Sequence, residues 1–436
     1  MQNALPPALA ITPPNRSLSG RVSPPGSKSI TNRVLLLAAL AEGTSRLTGA
    51  LKSKDTELMA RALREMGVQV EEPDATTFQV TSTGRLAAPN APLLLGNAGT
   101  ATRFLAAAVA TIDGTVIVDG DEDMRLRPIK PLVDALNTLG IDAASPTGCP
   151  PVTIHGKGSF GHGRVEIDAS LSSQYVSALL MAAPRGDGPI EVALAGKDIG
   201  ARGYVDLTLN AMRAFGAQVE DQADGSWLVQ PTGYRATDFH IEPDASAATY
   251  LWGIEALTGG KIDLGIAADA FSQPDAAAQA ILAQFPNMPD VIDGSQMQDA
   301  VPTIAVVAAF NNHPVRFVGI ANLRVKETDR IRAVANELNR ILPGLATEDG
   351  DDLIVAADPD LASKLSGRNA RIKIETYHDH RIAMSFALAG LLVPNIVILD
   401  PACTGKTYPE YWQMLADLGV ELTPAGGRSG SRGFPL

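Results

Sequence analysis

Six segments of this chain are almost free of polar residues after their first turn, and that pattern dictates the plan of the fold. They open at Ser27 (SKSITNRVLLLAALA), Gly99 (GTATRFLAAAVA), Ser172 (SSQYVSALLMAA), Asp244 (DASAATYLWGIEAL), Gln298 (QDAVPTIAVVAAF) and Tyr377 (YHDHRIAMSFALAGLLV). A helix that is apolar all round has no face to give to water, so other elements must wrap each one. Amphipathic helices supply part of that wrapping. LMARALREMG, LVDALNTLG, LTLNAMRAFG and YWQMLADLG stop on glycine at 67, 140, 216 and 419, the first three at near-equal spacing. β-rich pieces such as VTIHG, RVEIDA, IEVAL, VRFVGI and NIVILD alternate with the helices. The expectation is six repeated α/β units, three to each half, with the halves built alike.

Composition limits what such a chain does. At 436 residues, 45% of them hydrophobic, it has material for two packed domains. A formal charge of -12 argues against nucleic-acid binding by bulk attraction, so an anion site has to come from a local gathering of Lys and Arg. Cys149 and Cys403 stand far apart, with no CxxC or Cys/His spacing, which points to reduced thiols in the cytoplasm. The apolar runs fall short of the ~18 residues that span a bilayer. The opening MQNALPPALAITPPN lacks the basic start and apolar stretch of a signal peptide, so a soluble protein is expected.

The polar starts of the apolar helices carry the chemistry. Free backbone N–H groups and the helix dipole favour an anion there, although Ser or Thr at such a place also serves as an ordinary cap. Lys28 and Ser29, Gly99 and Thr100, and Ser172, Ser173 and Gln174 occupy three such starts, with Arg33, Arg103 and Arg127 nearby. The densest charge lies in NLRVKETDRIRA, residues 322–333, with four cations and two carboxylates. Helical spacing would set Lys326 and Arg330 on one face with Glu327 and Asp329 between them. That array reads either as a grip on phosphate or carboxylate with a proton-transfer group attached, or as an exposed ion-paired helix. His378-Asp379-His380-Arg381 reads as a metal half-site, an ion-pair cap or an arginine anion site; with no second histidine cluster, metal is the weakest of the three. PPGSKS lacks the spacing of a P-loop.

Taken in order, PPGSKSITNR, LGNAGTATRFL, LRPIKPLVDAL, SSQYVSALLMAAP, NLRVKETDRIRA, YHDHRIAM and DPACTGKTYPEYW resemble the signature segments of the EPSP synthase family of enolpyruvyl transferases, over nearly the whole chain. The resemblance implies an inside-out α/β barrel fold of two similar lobes, each of three repeated units, with an active-site cleft between the lobes. The lobes would be residues 27–242, and residues 1–26 with 243–436. It implies transfer of the enolpyruvyl group of phosphoenolpyruvate to the 5-hydroxyl of shikimate 3-phosphate, without metal or organic cofactor. It also implies roles for matching residues. Lys28, Ser29, Arg33, Ser172, Ser173, Gln174, Asp299, Asn322 and Lys326 would hold shikimate 3-phosphate. Lys28, Gly99, Arg127, Gln174, Arg330, Arg381 and Lys406 would hold phosphoenolpyruvate, and Asp299, Glu327 and Lys28 are the candidates for moving protons. The partners would be those two small substrates, with no nucleic acid and no membrane, and the enzyme is expected to be a monomer.

Several positions depart from the family pattern. Phe104 replaces a common proline, Ala201 stands where a phosphate-binding serine is often found, and His378 replaces a frequent asparagine. The stretch from Gly265 to Asp299 is short, suggesting a trimmed connection in the fourth unit. The tail from Thr423 reads as a disordered terminus. A sister enolpyruvyl transferase acting on UDP-N-acetylglucosamine carries a reactive cysteine in the loop that here reads DGDEDMRLRP, without cysteine. A noncatalytic α/β repeat scaffold would not need cations at its buried helix starts.

Overall fold

All six apolar segments form helices: Lys28–Ala39, Gly99–Ala108, Ser173–Ala182, Ala245–Thr258, Val301–Ala308 and His380–Ala389. This computed structural model describes residues 5–196 and 202–425. Every residue of the second, fifth and sixth helices is buried, the consequence of having no polar face. The amphipathic Lys54–Glu65 helix buries one side only, through residues such as Met59, Ala60 and Leu63.

The chain divides into two compact units, Pro25–Glu242 and Met1–Pro24 with Pro243–Leu436. Each has its own apolar core, running from Ile30 to Ile241 in one and from Leu9 to Val420 in the other. Within the second unit the Ala245–Thr258, Val301–Ala308 and His380–Ala389 helices pack on one another. Gly253 makes that approach possible: a Cβ there would lie 2.7 Å from Leu388 Cδ2 and 3.4 Å from Thr303 Cγ2.

Among the described residues, five of the six sheets repeat one topology, a parallel pair followed by two antiparallel steps. Leu93–Leu94 runs parallel to Asp113–Asp119, which pairs antiparallel with Val152–Lys157 and through it with Asp142–Ala144. Gly163–Ile167, Ile190–Leu194, Trp227–Val229 and Val219–Asp221 follow the same order, as do Val291–Asp293, Val315–Val318, Asp352–Val355 and Ala346–Asp349. In the first sheet Ala41–Thr48 takes its parallel partners, Tyr234–Arg235 and Phe239–His240, from the end of the unit. In the last, the strand between Ile396–Leu399 and Glu421–Pro424 is Ala8–Thr12, from the other end of the chain. The sixth sheet has only Gly20–Arg21 and Ile262–Asp263, and the short stretch after it holds two 3-10 turns and the helix Ala278–Leu282.

The four glycine stops share one geometry. Their φ angles lie between +80° and +98°, the left-handed region where a side chain is strained. Gly67 N–H donates to Arg64 O and Val68 N–H to Leu63 O, both at 3.0 Å, and the same paired bonds close the helices at Gly140, Gly216 and Gly419. These are Schellman closures.

Three expectations are corrected. The helix expected from Gln298 begins at Val301, because Pro302 has no N–H to give Gln298 O and its ring would clash there; Asp299 is left in the preceding turn. The helix expected from Tyr377 begins at His380, since Tyr377 and His378 both have φ of +54°. Thr423 pairs with Ala10 in a strand instead of opening a tail, and residues 426–436, the rest of the expected disordered terminus, lie outside the described residues. Ala201 lies outside the described residues. Among the described residues no helix is long and apolar enough to cross a membrane.

Candidate active site

The cation-rich segment 322–333 is not one helix. Ala321–Val325 is a 3-10 turn, Lys326 is extended, and the α-helix Arg330–Ile341 starts only after Asp329, whose Oδ1 accepts the Arg332 N–H at 3.1 Å. The aspartate side chain offers the backbone a cap in place of a further helical turn, so Lys326 and Arg330 do not share a helical face. Arg324 and Arg332 are spent on structure. Arg324 binds Asp329, Glu348 and Asp351 at 2.8–2.9 Å, and Arg332 lies 3.4 Å from Glu348.

Arg330 turns inward and organises the second unit's site. Its Nε donates to Asp379 at 2.7 Å, Nη1 to Asp299 at 2.9 Å and Nη2 to Glu327 at 2.8 Å. Lys406 binds the other oxygen of Glu327 at 2.8 Å, and Arg381 binds the other oxygen of Asp299 at 2.8 Å. The result is an alternating chain, Lys406–Glu327–Arg330–Asp299–Arg381, with Asp379 behind it. Asp379 also caps the His380–Ala389 helix, taking the Arg381 N–H at 2.9 Å.

Burial works against the charge on Arg330, but Asp379, Glu327 and Asp299 outweigh it and hold the guanidinium above the ordinary arginine range. Arg381 is likewise raised, its desolvation offset first by Asp299. Beside Arg381, burial pushes the Tyr250 phenol up to about 12, against the pull of the guanidinium. Three cations are thus fixed in place by carboxylates, a prearranged set of donors for an oxyanion. Of the three carboxylates Asp299 is the most open, at 24% exposure against 6% for Glu327 and 0% for Asp379. Asn322 is buried in the 3-10 turn.

The first unit gathers a second set. Ser27 caps the Lys28–Ala39 helix, and Lys28 Nζ lies 3.5 Å from Asp55. Ser29, half-buried in the same turn, accepts the Arg33 Nη1–H at its carbonyl oxygen at 2.9 Å. Arg33 is a core residue here: it also donates to Thr208 at 2.7 Å, to Ser177 and to Tyr204 O, and packs on the Phe104 ring. Burial pulls its pKa down to about 10.

No side chain caps the Gly99–Ala108 helix. Instead two guanidinium groups crowd its first residue: a Cβ at Gly99 would lie 2.6 Å from Arg103 Nη1 and 2.8 Å from Arg127 Nη2. Arg127 is held by the Asn97 side chain at 2.8 Å, and Arg103 by Gly99 O and Pro128 O at 3.0 Å. Gln174 Nε2 donates to Thr100 Oγ1 at 3.1 Å, which ties the Ser173–Ala182 helix start to that of Gly99–Ala108. Ser172 serves as a cap, accepting the Gln174 N–H, and Ser173 is buried beside it.

Gly99, Gln174 and Arg127 therefore come together in one unit, and Asp299, Glu327, Arg330, Arg381 and Lys406 in the other. Sequence reasoning named Thr100 at a helix start and Asp379 within a candidate ion-pair cap without giving either a role in the site, and it missed Asn97 and Asp55, whose spacing carries no signal. Among the described residues no group of three or more His, Cys, Asp or Glu is placed to hold a metal ion.

The family described as EPSP synthase (3-phosphoshikimate 1-carboxyvinyltransferase) matches residues 12–415. A 3-phosphoshikimate 1-carboxyvinyltransferase of Pseudomonas syringae pv. syringae is 67% identical over 414 residues, covering 95% of this chain and 98% of its own. One from Rhizobium leguminosarum bv. trifolii is 66% identical over 412 residues, covering 94% and 97%. Among solved structures, an EPSP synthase from Acinetobacter baumannii superposes with a TM-score of 0.75 at 25% identity, covering 95% of this chain and 99% of its own. The enolpyruvyl transferase NikO from Streptomyces tendae, 16% identical with a TM-score of 0.70 over 96% and 99%, shares the fold.

Proposed function

The chain belongs to the EPSP synthase family, and on that footing we propose that it transfers the enolpyruvyl group of phosphoenolpyruvate to the 5-hydroxyl of shikimate 3-phosphate, releasing phosphate. In the addition step the 5-oxygen bonds to C2 of phosphoenolpyruvate, the hydroxyl proton leaves, and the C3 methylene gains a proton. The tetrahedral intermediate then loses a methyl proton and its C2–O bond to phosphate, restoring the double bond. No step needs a metal or an organic cofactor.

The observation that carries the reading is the Lys406–Glu327–Arg330–Asp299–Arg381 chain, in which cations fit for phosphate and carboxylate alternate with groups able to exchange protons. We assign phosphoenolpyruvate to Arg330, Arg381 and Lys406, with Lys28, Gly99, Arg127 and Gln174. Shikimate 3-phosphate is assigned to Lys28, Ser29, Ser172, Ser173, Gln174, Asp299, Asn322 and Lys326. Arg33, whose donors are taken up inside its unit, contributes by holding the Ser29 turn. Proton transfer is assigned to Asp299, Glu327 and Lys28. We further propose a cytoplasmic monomer acting on two small anions, motivated by the free, well separated Cys149 and Cys403 and the self-contained core of each unit. A dimer mass in sedimentation at working concentration would refute the monomer.

The test is phosphate release by the purified chain. Release is expected only when both substrates are present, and unchanged in excess chelator. Release with UDP-N-acetylglucosamine in place of shikimate 3-phosphate, or activity lost to chelator and restored by zinc, would overturn the assignment.

A further inference from the structure

Asp379 meets both the Arg330 guanidinium and the first turn of the helix that carries Arg381, yet the backbone that delivers it is poorly suited to its conformation. Tyr377 and His378 both sit at φ of +54°, and the Asp379 N–H closes the turn onto Thr376 O at 2.8 Å. Two consecutive left-handed residues without glycine or asparagine are costly, so something outside the turn must hold it.

The structure supplies a brace. Glu337, on the Arg330–Ile341 helix, is fully buried, and its Oε1 accepts the Tyr377 phenol at 2.8 Å. Oε2 accepts the Glu375 N–H at 3.1 Å and Arg340 Nε at 2.7 Å, and Arg340 Nη2 reaches Oε1 at 3.1 Å. A buried carboxylate survives only when paired and hydrogen-bonded, and here its partners are the residue just before the turn, the first central residue of the turn and one arginine of its own helix. The brace therefore joins the helix that begins at Arg330 to the turn that presents Asp379.

We propose that Tyr377 and Glu337 are positioning residues for the transfer reaction: their phenol–carboxylate bond keeps the left-handed turn folded so that Asp379 holds Arg330 and the Arg381 helix start in place. Neither is among the residues assigned to either substrate. The proposal rests on the assignment of Arg330 and Arg381 to phosphoenolpyruvate, and the tests separate the two.

The first measurement needs no substrate. In Tyr377→Phe, amide hydrogen exchange at Asp379 and Arg381 should speed up about three- to tenfold, the worth of one lost hydrogen bond, while the Gly99–Ala108 helix keeps its protection. Unchanged exchange at those two amides overturns the proposal whatever the substrate. In kinetics, Tyr377→Phe should raise the KM for phosphoenolpyruvate about three- to tenfold and the KM for shikimate 3-phosphate by less than half that factor. Faster exchange with unaltered kinetics would keep the brace and overturn the link to phosphoenolpyruvate. A third comparison tests the backbone argument. Tyr377→Gly and Tyr377→Ala both lose the phenol, but only glycine is relieved of the left-handed strain, so the glycine variant should retain the higher kcat/KM. Equal losses in the two would show that strain plays no part.

Discussion

At the scale of single residues, the site is a set of side chains whose neighbours decide their roles, and Gly99 is the sharpest case. A methyl at Gly99 would meet two guanidinium tips, not backbone, so Gly99→Ala should fold normally while displacing Arg127 from the helix start. The KM for phosphoenolpyruvate should rise about tenfold, the loss of one charge-assisted bond, with less than a twofold change for shikimate 3-phosphate. Steady-state kinetics with each substrate varied in turn decides this, and an unchanged phosphoenolpyruvate KM would remove Arg127 from that role. Arg330 behaves differently. Because it is buried and satisfies Asp299, Glu327 and Asp379 at once, Arg330→Ala should weaken binding and also cost about 3–5 kcal/mol of stability by stranding carboxylates, read from urea unfolding. A loss under about 1 kcal/mol would mean that water readily takes the arginine's place. Residue identity was legible in the sequence here; partnership was not. Arg33 looks like the other cations in a linear reading, and only folding reveals that Thr208, Ser177 and Tyr204 claim it.

Elements were legible where one local rule governed and lost where two competed. The glycine stops follow a single rule, since an apolar face ending on a glycine needs no tertiary information to close. Gly140 tests that closure cleanly. Its φ is +80° and a Cβ there meets nothing within 4 Å, so Gly140→Ala should lower stability by about 1 kcal/mol through backbone strain alone and leave both KM values unchanged. A stability change near zero in urea unfolding would show that the closure tolerates a side chain. Helix starts were harder to read. At Gln298 the apolar pattern asked for a helix while Pro302 forbade its first turn, and at Tyr377 the pattern ran on through a left-handed turn held from outside by Glu337. At Lys326 the charge spacing fitted a helix, but the Asp329 cap won. Each of these lapses falls beside a site residue, because irregular backbone is what brings Asp299, Asp379 and Glu327 out of the regular elements.

For the whole molecule, the repeat count could be read from the sequence because buried helices leave a periodic signature, but strand pairing could not. The strand Ala8–Thr12 carries nothing that announces its partners, since short apolar strands pair wherever the sheet has room. In the structure it lies between Ile396–Leu399 and Glu421–Pro424, with Leu9 and Ile11 buried, and Ile11 packs so close to Gly390 that a Cβ there would come within 2.8 Å. It thus supports the end of the helix that begins at His380 and carries Arg381, some 370 residues away in sequence. The two units should therefore differ as isolated fragments. Residues 25–242 contain every strand and core residue of their own unit and should unfold in urea as a single cooperative transition. Residues 243–425 alone lack the central strand of their last sheet, leaving two open edges and an uncovered apolar helix end, and should show no such transition. Joining residues 5–24 to the C-terminal end of that fragment through a flexible linker should restore it. If residues 243–425 unfold cooperatively on their own, the N-terminal strand is an accessory to a sheet that closes without it, and the covering of Gly390 must come from elsewhere.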